Sequence, residues 1–372
     1  MNIWNFSTKV FSGMDSFDRL KELAGKNIFI VCDPFLVTTK VFKGILTLLV
    51  ESKNQVKIYS EVTPDPPIQN IVSCMEELGK FNPDVVIAVG GGSAIDLTKG
   101  VIYFSKKISS ISIEKFIVMP STSGTGSEVT SVSVITDKKN NIKYPLVDDE
   151  MLPDEAILNP LLVLSSPPKV TAYSGMDVLT HALEALVAKD ANLFTDTLAE
   201  KAIEIVFDNL VQCYEDGNRI ESRMLMHEAS CLAGIAFNSA GLGISHALAH
   251  QVGGKMSIPH GLANTMLLPH IVKFNAKNPT AKKKYAQVAK NLGSGHDKWS
   301  DKRMVENLSR RIEHLANQLD CPLSLSKFGI QQSTAKQHCE AVVKNAKNDF
   351  TFKTNPIAPS DKELAELYYA IL

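Results

Sequence analysis

Residues 84 to 93 have the sequence Asp84-Val-Val-Ile-Ala-Val-Gly-Gly-Gly-Ser93, an apolar run that leads into a glycine turn. The apolar run predicts a strand buried on both faces, and the pattern from Ala94 to Phe104 predicts that a helix follows. Glycines at the junction let backbone N–H groups approach a ligand, and the start of a helix attracts anions. The stretch therefore predicts a β-α unit with a candidate phosphate site at its turn.

The same alternation of strand and helix extends through the first 166 residues. We predict further strands at 26–33, 55–62 and 116–120, and further helices at 37–52 and 68–81. This spacing requires crossover connections, which predicts an α/β domain with a doubly wound parallel sheet at residues 1–166. The usual G-x-G-x-x-G dinucleotide fingerprint is absent, so we expect a non-standard, Rossmann-like domain rather than the standard nucleotide-binding fold.

Long amphipathic helices replace the strands after Ser165-Ser-Pro-Pro168. We predict one helix at 175–189 and a second at 195–215, which Asp216-Gly217 would end. Residues 167–372 are therefore expected to form a second, all-helical domain.

The composition excludes several classes of protein. Lys and Arg number 39 and Asp and Glu 40, so the net charge of -1 provides no basic field for nucleic acid or an anionic membrane. Charged residues make up 21% and hydrophobic ones 44%, as in a packed enzyme rather than a disordered chain. The start lacks a secretory pattern, no apolar run approaches the roughly 18 residues of a membrane helix, and the six cysteines form no C-x-x-C pair. We expect a cytoplasmic protein.

A second polar loop, Ser121-Thr-Ser-Gly-Thr-Gly-Ser-Glu128, follows the strand predicted at 116–120. Ligands bind at the carboxyl ends of strands in open α/β sheets, so two such loops favour a pyrophosphate site. The alternative is a glycine turn in which Ser93 and Asp96 form only a capping box. Asp33, after an early strand, either binds a ribose hydroxyl, which would favour NAD over NADP, or caps a helix.

The nine histidines all lie after residue 180, and four of them fall between 246 and 270. Asp177 and His181 are four positions apart in a helical pattern, as are His246 and His250, so each pair lies on one helix face. A chain turn could bring His260 toward the first pair. Such a set suits Fe(II) or Zn(II), whose remaining positive charge would stabilise an alkoxide. Alternatively, each histidine separately bonds a backbone carbonyl in a helical core.

Four stretches resemble the iron-containing (group III) alcohol dehydrogenases. They are Gly90-Gly-Gly-Ser-Ala-Ile-Asp-Leu-Thr-Lys99, Pro120-Ser-Thr-Ser-Gly-Thr-Gly-Ser-Glu128, Gly175-Met-Asp-Val-Leu-Thr-His-Ala-Leu-Glu184, and the run from His246 to His270. The resemblance spans essentially the whole chain. It implies a nucleotide-binding α/β domain, a helical metal domain, and an active site in the cleft between them.

The resemblance also implies roles for individual residues. It makes Asp177, His181, His246 and His260 the metal ligands, and His250 a catalytic, non-ligand histidine that relays a proton. The implied NAD contacts are Asp33, Asp65, Gly91, Gly92, Ser93, Asp96, Ser121, Thr122, Thr125, Val134 and Lys143. The chain departs from the family at Pro64-Asp-Pro-Pro67, where a hydroxyl near the adenine is lost, at Ser121, where Thr is commoner, and at Asn159, where Asp is usual.

The implied activity is reversible hydride transfer between NAD(H) and short primary alcohols and aldehydes. Propanal or acetaldehyde is the first expectation and lactaldehyde the next, in a homo-oligomer, a dimer, that uses Fe(II) or Zn(II). Three alternatives stay open: a carbon-oxygen lyase resembling dehydroquinate synthase, a zinc polyol dehydrogenase resembling glycerol dehydrogenase, and a non-catalytic NAD-binding protein. The lyase would need basic residues for a phosphate-bearing substrate, and few lie between Asp177 and His270.

Overall fold

The computed structural model describes residues 7–109, 111–137, 142–293, 295–296 and 298–372, with the backbone alone at 142 and 143. The chain divides into two compact units, Met1–Ser166 and Pro167–Leu372.

A six-stranded parallel sheet forms the centre of the first unit. Its strands are β1 (Lys9–Ser12), β2 (Asn27–Cys32), β3 (Gln55–Tyr59), β4 (Val85–Gly90), β5 (Lys115–Pro120) and β8 (Glu155–Leu158). Their order is β1-β8-β5-β4-β2-β3, and every pairing is parallel. A separate antiparallel hairpin consists of β6 (Val132–Asp137) and β7 (Ile142–Val147).

Helices cover both faces of this sheet, because its side chains are apolar on both. In β4, Val86 and Ala88 join one buried cluster with residues of α2 (Ile68–Phe81) and α3 (Gly92–Ser109). Val85, Ile87 and Val89 point the other way and join a second cluster with α1 (Lys40–Glu51). The predicted doubly wound parallel sheet is therefore confirmed.

The order of the strands locates the place where a ligand is expected. The chain passes from β2 to β3 in one direction and then continues on the other side of β2, with β4 and β5. In open α/β sheets the crevice for a ligand lies at this reversal, at the carboxyl ends of the strands. Asp33 follows β2 and Gly91 follows β4, so both lie at the reversal.

Helices alone form the described part of the second unit. They are α4 (Pro168–Val187), α5 (Leu193–Glu215), α6 (Ile220–Ala240), α7 (Ile244–Met256), α8 (His260–Asn275), α9 (Pro279–Asn291), α10 (Asp301–Gln318), α11 (Leu325–Phe328), α12 (Gln332–Asn348) and α13 (Asp361–Tyr369). They pack around one apolar core. Every residue of α4 from Gly175 to Val187 is buried. The polar side chains on this stretch therefore need partners inside the protein.

Some element boundaries differ from those that the sequence predicts. α4 begins at Pro168 rather than Gly175, since proline is well tolerated in the first turn of a helix. The helix predicted at 37–52 begins at Lys40, because a 3-10 turn occupies Pro34–Thr38 and the Thr39 side chain then caps the helix. In the described ranges, no single helix is long and apolar enough to cross a membrane. The pair α6 and α7, bent by 108°, meets the length and composition criteria together.

Candidate functional site

A buried cluster in the second unit combines Asp177 and His181 of α4 with His246 of α7. Each offers one ligand atom, and these atoms lie within 4.8 Å of one another. The Nε2 atom of His246 is buried, lies 3.8 Å from Asp177 Oδ1, and has no hydrogen-bond partner among the described residues. Leaving a buried polar atom unpaired costs free energy, which a bound cation would remove. One carboxylate with imidazoles is a donor set that fits a first-row divalent ion.

Burial sets the protonation of this cluster. It lowers the pKa of His246 to about 4, although Asp177 opposes the shift. The ring is therefore neutral near pH 7 and keeps one lone pair for a ligand. Burial opposes the ionisation of Asp177, but the three neighbouring imidazoles and the amide of Asn264 outweigh it and lower its pKa.

His260 lies at the edge of the cluster. It is the first residue of α8 and so belongs to a helix rather than to the returning turn. Its Nε2 atom is 3.5 Å from Asp177 Oδ1 and 3.2 Å from Asn264 Nδ2. Within the described residues the set of mutually close donor atoms holds Asp177, His181 and His246 without it. The role of His260 as a fourth ligand stays a prediction.

His250, one turn beyond His246 on α7, pairs with a carboxylate. Its Nδ1 atom is 2.8 Å from Asp349 Oδ2, and its ring stacks on that of His260 with centroids 5.3 Å apart. Burial opposes the ionisation of Asp349, but hydrogen bonds from His250 and Thr351 outweigh it and lower its pKa. Asp349 could not be predicted from sequence patterns, because it lies 99 positions from its partner.

Two further buried residues, which were not among the predicted site residues, contact the cluster. Glu184 of α4 lies 2.6 Å from Nδ1 of His246. Asn264 of α8 donates from Nδ2 to Asp177 Oδ1 at 2.9 Å and accepts from Ser245 Oγ at 3.1 Å. Both stand inside the stretches that resemble the dehydrogenases, and a helical spacing from Asp177 and His181 could have indicated Glu184.

In the first unit, Asp33 and the two polar loops meet at the reversal of the sheet. Asp33 Oδ2 accepts a hydrogen bond of 2.8 Å from the Gly91 N–H. A Cβ atom would lie 2.6 Å from Asp33 Oδ2 at Gly90, and 2.9 Å from Thr125 Cγ2 at Gly92. Neither position has room for a side chain, so both require glycine. Although Asp33 precedes a 3-10 turn, its side chain makes no capping hydrogen bond there.

Asp96 and Lys99 of α3 connect this helix to the second loop. Asp96 accepts from Ser127 Oγ at 2.8 Å and from the Val134 N–H at 3.1 Å, so both of its oxygens serve the loop and the hairpin. The fully buried Lys99 donates to Thr130 O at 2.6 Å and to Val132 O at 2.9 Å. Burial lowers the pKa of Lys99 to about 8. Asp96 and Lys99 therefore hold the second polar loop against α3.

The remaining predicted cofactor contacts lie around the same loops. Ser121 Oγ is buried without a hydrogen-bond partner in the part of the chain that the structure describes, as expected of a group that serves a ligand. Asp65, with φ of 50°, precedes Pro66, whose carbonyl accepts from Thr136 of β6. Lys143 pairs with Thr136 in the hairpin, and its side chain lies outside the described residues. The close packing at Gly90 and Gly92, and the Ser121 hydroxyl without a hydrogen-bond partner among the described residues, fit a site for a dinucleotide.

Comparisons with known proteins agree over the whole chain. The family model "Iron-containing alcohol dehydrogenase" matches residues 7–160, and "Fe-containing alcohol dehydrogenase family, C-terminal" matches 171–372. The chain is 44% identical over 372 residues to a 1-propanol dehydrogenase of Citrobacter freundii, with 100% of both chains covered. It is 37% identical to an NADPH-dependent butanol dehydrogenase of Clostridium saccharobutylicum, covering 97% and 96% of the two chains. A crystal structure of 1,3-propanediol oxidoreductase matches with a TM-score of 0.93 at 30% identity, covering 100% of each chain.

Proposed function

This chain belongs to the iron-containing alcohol dehydrogenase family, and on that premise we propose that it interconverts short primary alcohols and aldehydes with NAD(H). The observation that carries the proposal is the buried cluster of Asp177, His181 and His246, in which Nε2 of His246 has no hydrogen-bond partner among the described residues. The relatives named above act on propanol, butanol and propanediol, which supports a substrate of about three or four carbons. Propanal is our first candidate, before acetaldehyde and lactaldehyde.

The residues of this chain have separable tasks in the proposed reaction. Asp177, His181, His246 and His260 would hold a cation that would supply Lewis acidity toward the substrate oxygen, and a bound nicotinamide would supply the hydride chemistry. His250 exchanges the proton of the substrate hydroxyl with solvent. The ionised Asp349 supports this role, because its hydrogen bond to Nδ1 leaves Nε2 of His250 as the exchanging nitrogen.

We propose the dinucleotide site at the carboxyl ends of β2, β4 and β5. The N–H groups of Gly92 and Ser93 bind the pyrophosphate at the start of α3, which carries a partial positive charge, and Gly91, whose own N–H donates to Asp33, lies beside it. Ser121, Thr122 and Thr125 contact the nicotinamide side, and Asp65, Asp96, Val134 and Lys143 border the nucleotide. Asp33 accepts from a ribose hydroxyl, and its negative charge disfavours the 2′-phosphate of NADP. The NADPH-dependent relative makes this cofactor preference a point to test.

The other readings of the sequence are less well supported. The relatives are dehydrogenases of simple alcohols, which does not favour the carbon-oxygen lyase or the glycerol dehydrogenase-like enzyme. We further propose Fe(II) as the native metal, although Zn(II) binds such ligands more tightly. A cytoplasmic homodimer is part of the same proposal, and light scattering of the purified protein measures the oligomeric state.

Metal reconstitution tests the function. Metal-free protein is loaded anaerobically with Fe(II) or Zn(II) and assayed with propanal, acetaldehyde and lactaldehyde, using NADH and NADPH in turn. We expect Fe(II)-dependent oxidation of NADH with propanal and the reverse reaction with 1-propanol. Full activity in the metal-free protein, or no net change in NADH with any of the aldehydes, would contradict the proposal.

A further inference from the structure

We propose that Glu184 is a positioning residue of the metal centre, which fixes the tautomer of His246 and the first turn of α7 without binding the cation itself. The inference rests on the proposed metal-dependent function. It concerns a buried carboxylate that makes three hydrogen bonds around one ligand histidine.

The contacts of Glu184 all converge on the start of α7. Its Oε2 atom lies 2.6 Å from Nδ1 of His246 and accepts from the Gly243 N–H at 3.0 Å. Its Oε1 atom accepts from the Ser245 N–H at 2.7 Å. The first N–H groups of a helix have no partner within the helix, so this carboxylate supplies what α7 lacks. One side chain thus holds both the ring and the backbone that carries it.

The surroundings leave Glu184 little freedom to move. It is 2% exposed and lies on the stretch of α4 that is buried at every position. A Cβ atom at Gly243 would lie 2.7 Å from Glu184 Oε1 and 2.5 Å from Asn355 Oδ1, so the backbone of α7 approaches both side chains closely. Asn355 also accepts from the Ile244 N–H at 3.2 Å. The carboxylate is therefore held at a fixed distance from the ring.

This geometry selects one form of the neutral His246 ring. Each oxygen of Glu184 already accepts a backbone N–H, as a carboxylate does, and in that arrangement Nδ1 of His246 carries the proton and Nε2 the lone pair. Nε2 is the buried atom that lacks a partner among the described residues and lies 3.8 Å from Asp177 Oδ1. Carboxylates that orient a histidine in this way strengthen metal binding and are a general feature of metal sites. Glu184 thereby prepares His246 as a ligand before the cation arrives.

Glu184→Gln tests this role with almost no change of volume. Glutamine has one acceptor oxygen and one amide donor, whereas three N–H groups point at Glu184. With its oxygen at the Oε2 position, the amide opposes the N–H of Ser245. With the oxygen at Oε1, the amide donates to Nδ1 of His246, and the proton of the ring moves to Nε2. The cation can bind only when the amide oxygen faces Nδ1 of His246, so part of the binding free energy is used to select this orientation.

Asp349→Asn is the matched control. It makes the same change from carboxylate to amide against a histidine Nδ1 atom, one turn further along α7, where His250 is not a proposed ligand. Apo protein is titrated with Zn(II) or Co(II) in competition with a chromogenic chelator. We expect Glu184→Gln to weaken metal affinity about 10- to 100-fold. Asp349→Asn should stay within about twofold of wild type.

A positioning role also predicts a split that a general loss of structure would not produce. The affinity of the Glu184→Gln protein for NADH should match wild type, and the melting temperature of the apo protein should fall by no more than the loss of one buried hydrogen bond explains, since one backbone N–H loses its acceptor in either orientation of the amide. The kcat of the variant should recover at saturating metal, because Glu184 does not touch the substrate. Equal metal affinity in Glu184→Gln and wild type, or an equal loss in Asp349→Asn, would overturn the inference. If wild type itself binds no metal, the proposed function fails instead.

The tautomer of His246 can be measured in the wild-type protein, which tests the role of Glu184 even if the variant does not fold. Long-range ¹H–¹⁵N correlation in ¹⁵N-histidine-labelled apo protein reports which ring nitrogen is protonated, and the signal of His246 is assigned from its absence in His246→Asn. We expect the proton on Nδ1. A proton on Nε2 in the apo protein would refute the role assigned to Glu184.

Discussion

Replacing Lys99 by methionine should destabilise the first unit substantially, because Lys99 is a cation buried entirely within it. Four contacts tie its Nζ atom to the second loop and to β6: Ser127 Oγ at 3.1 Å, Thr130 O at 2.6 Å, Thr130 Oγ1 at 3.0 Å and Val132 O at 2.9 Å. Methionine has a similar length and fills the space without any donor. The two carbonyls then lose a hydrogen-bond donor, at about 1–3 kcal/mol each.

The expected loss follows from these contacts and from the charges nearby. Removing one member of a buried charged network costs about 3–5 kcal/mol, and the two carbonyls alone account for about 2–6 kcal/mol. Burial raises the pKa of both Asp96 and Glu128, and the removal takes away the cation that opposes this rise. We therefore expect the free energy of unfolding to fall by about 3–5 kcal/mol. Since Lys99 holds the loop that includes Ser127 and Thr130, the KM for NADH should rise as well.

Urea denaturation followed by circular dichroism measures the free energy of unfolding. Initial rates at increasing NADH concentration measure the KM for NADH. Lys107→Met is the control, because Lys107 lies on the same helix but is exposed and pairs with the exposed Glu150. It should change neither the urea midpoint nor the KM for NADH measurably. A loss below about 1 kcal/mol for Lys99→Met would be no larger than that of an ordinary neutral hydrogen bond, and would refute the view that Lys99 organises the loop.

Three further predictions concern single side chains. His246→Ala should abolish metal binding and turnover while NADH affinity stays within about twofold of wild type. Atomic absorption measures the bound metal, and fluorescence titration measures the NADH affinity. Full turnover without metal would contradict the proposed metal site. Asp33→Gly should raise kcat/KM for NADPH relative to NADH at least about tenfold, since it removes the charge that would oppose a 2′-phosphate; an unchanged ratio would mean that Asp33 does not select the cofactor. Burial raises the pKa of Glu128 to about 7. Between about pH 4.5 and 7 the folded state therefore binds more protons than the unfolded state. The stability that protonated Glu128 contributes is lost as the pH rises through this window. Glu128→Gln should therefore show a smaller decline in unfolding free energy between pH 5 and 8 than wild type, and an identical decline would show that Glu128 does not titrate there.

Sequence patterns predicted the features that depend on local periodicity. The apolar run at 85–89 predicted β4, and the glycines after it predicted the turn into α3, because strand burial and glycine geometry are local properties. The four-residue spacing of Asp177 and His181 likewise put both side chains on one face of α4. The resemblance to the iron-containing alcohol dehydrogenases is confirmed, as is the fold class.

Other features could not be predicted because their partners are distant in the chain. Asp349 meets His250 across 99 positions, and Glu184 meets His246 across 62, with no repeat that connects them. Lys99 looks like an ordinary helix residue in sequence, yet the hairpin and the loop enclose it completely. Tertiary packing decides which residues meet, so although helical spacing puts Glu184 on the same face of α4 as Asp177 and His181, the sequence does not show that its partner is His246.

The thirteen buried positions of α4, from Gly175 to Val187, couple the chemistry of the protein to its folding. Two proposed ligands and the carboxylate behind a third lie on a helix that has no solvent-facing side there, so the element that would hold the ion is also central to the helical core. An ion that binds only the native state adds about 2.7 kcal/mol at a hundred times its Kd. A chelator should therefore act as a mild denaturant of the helical half, and iron supply during expression should affect yield as well as activity.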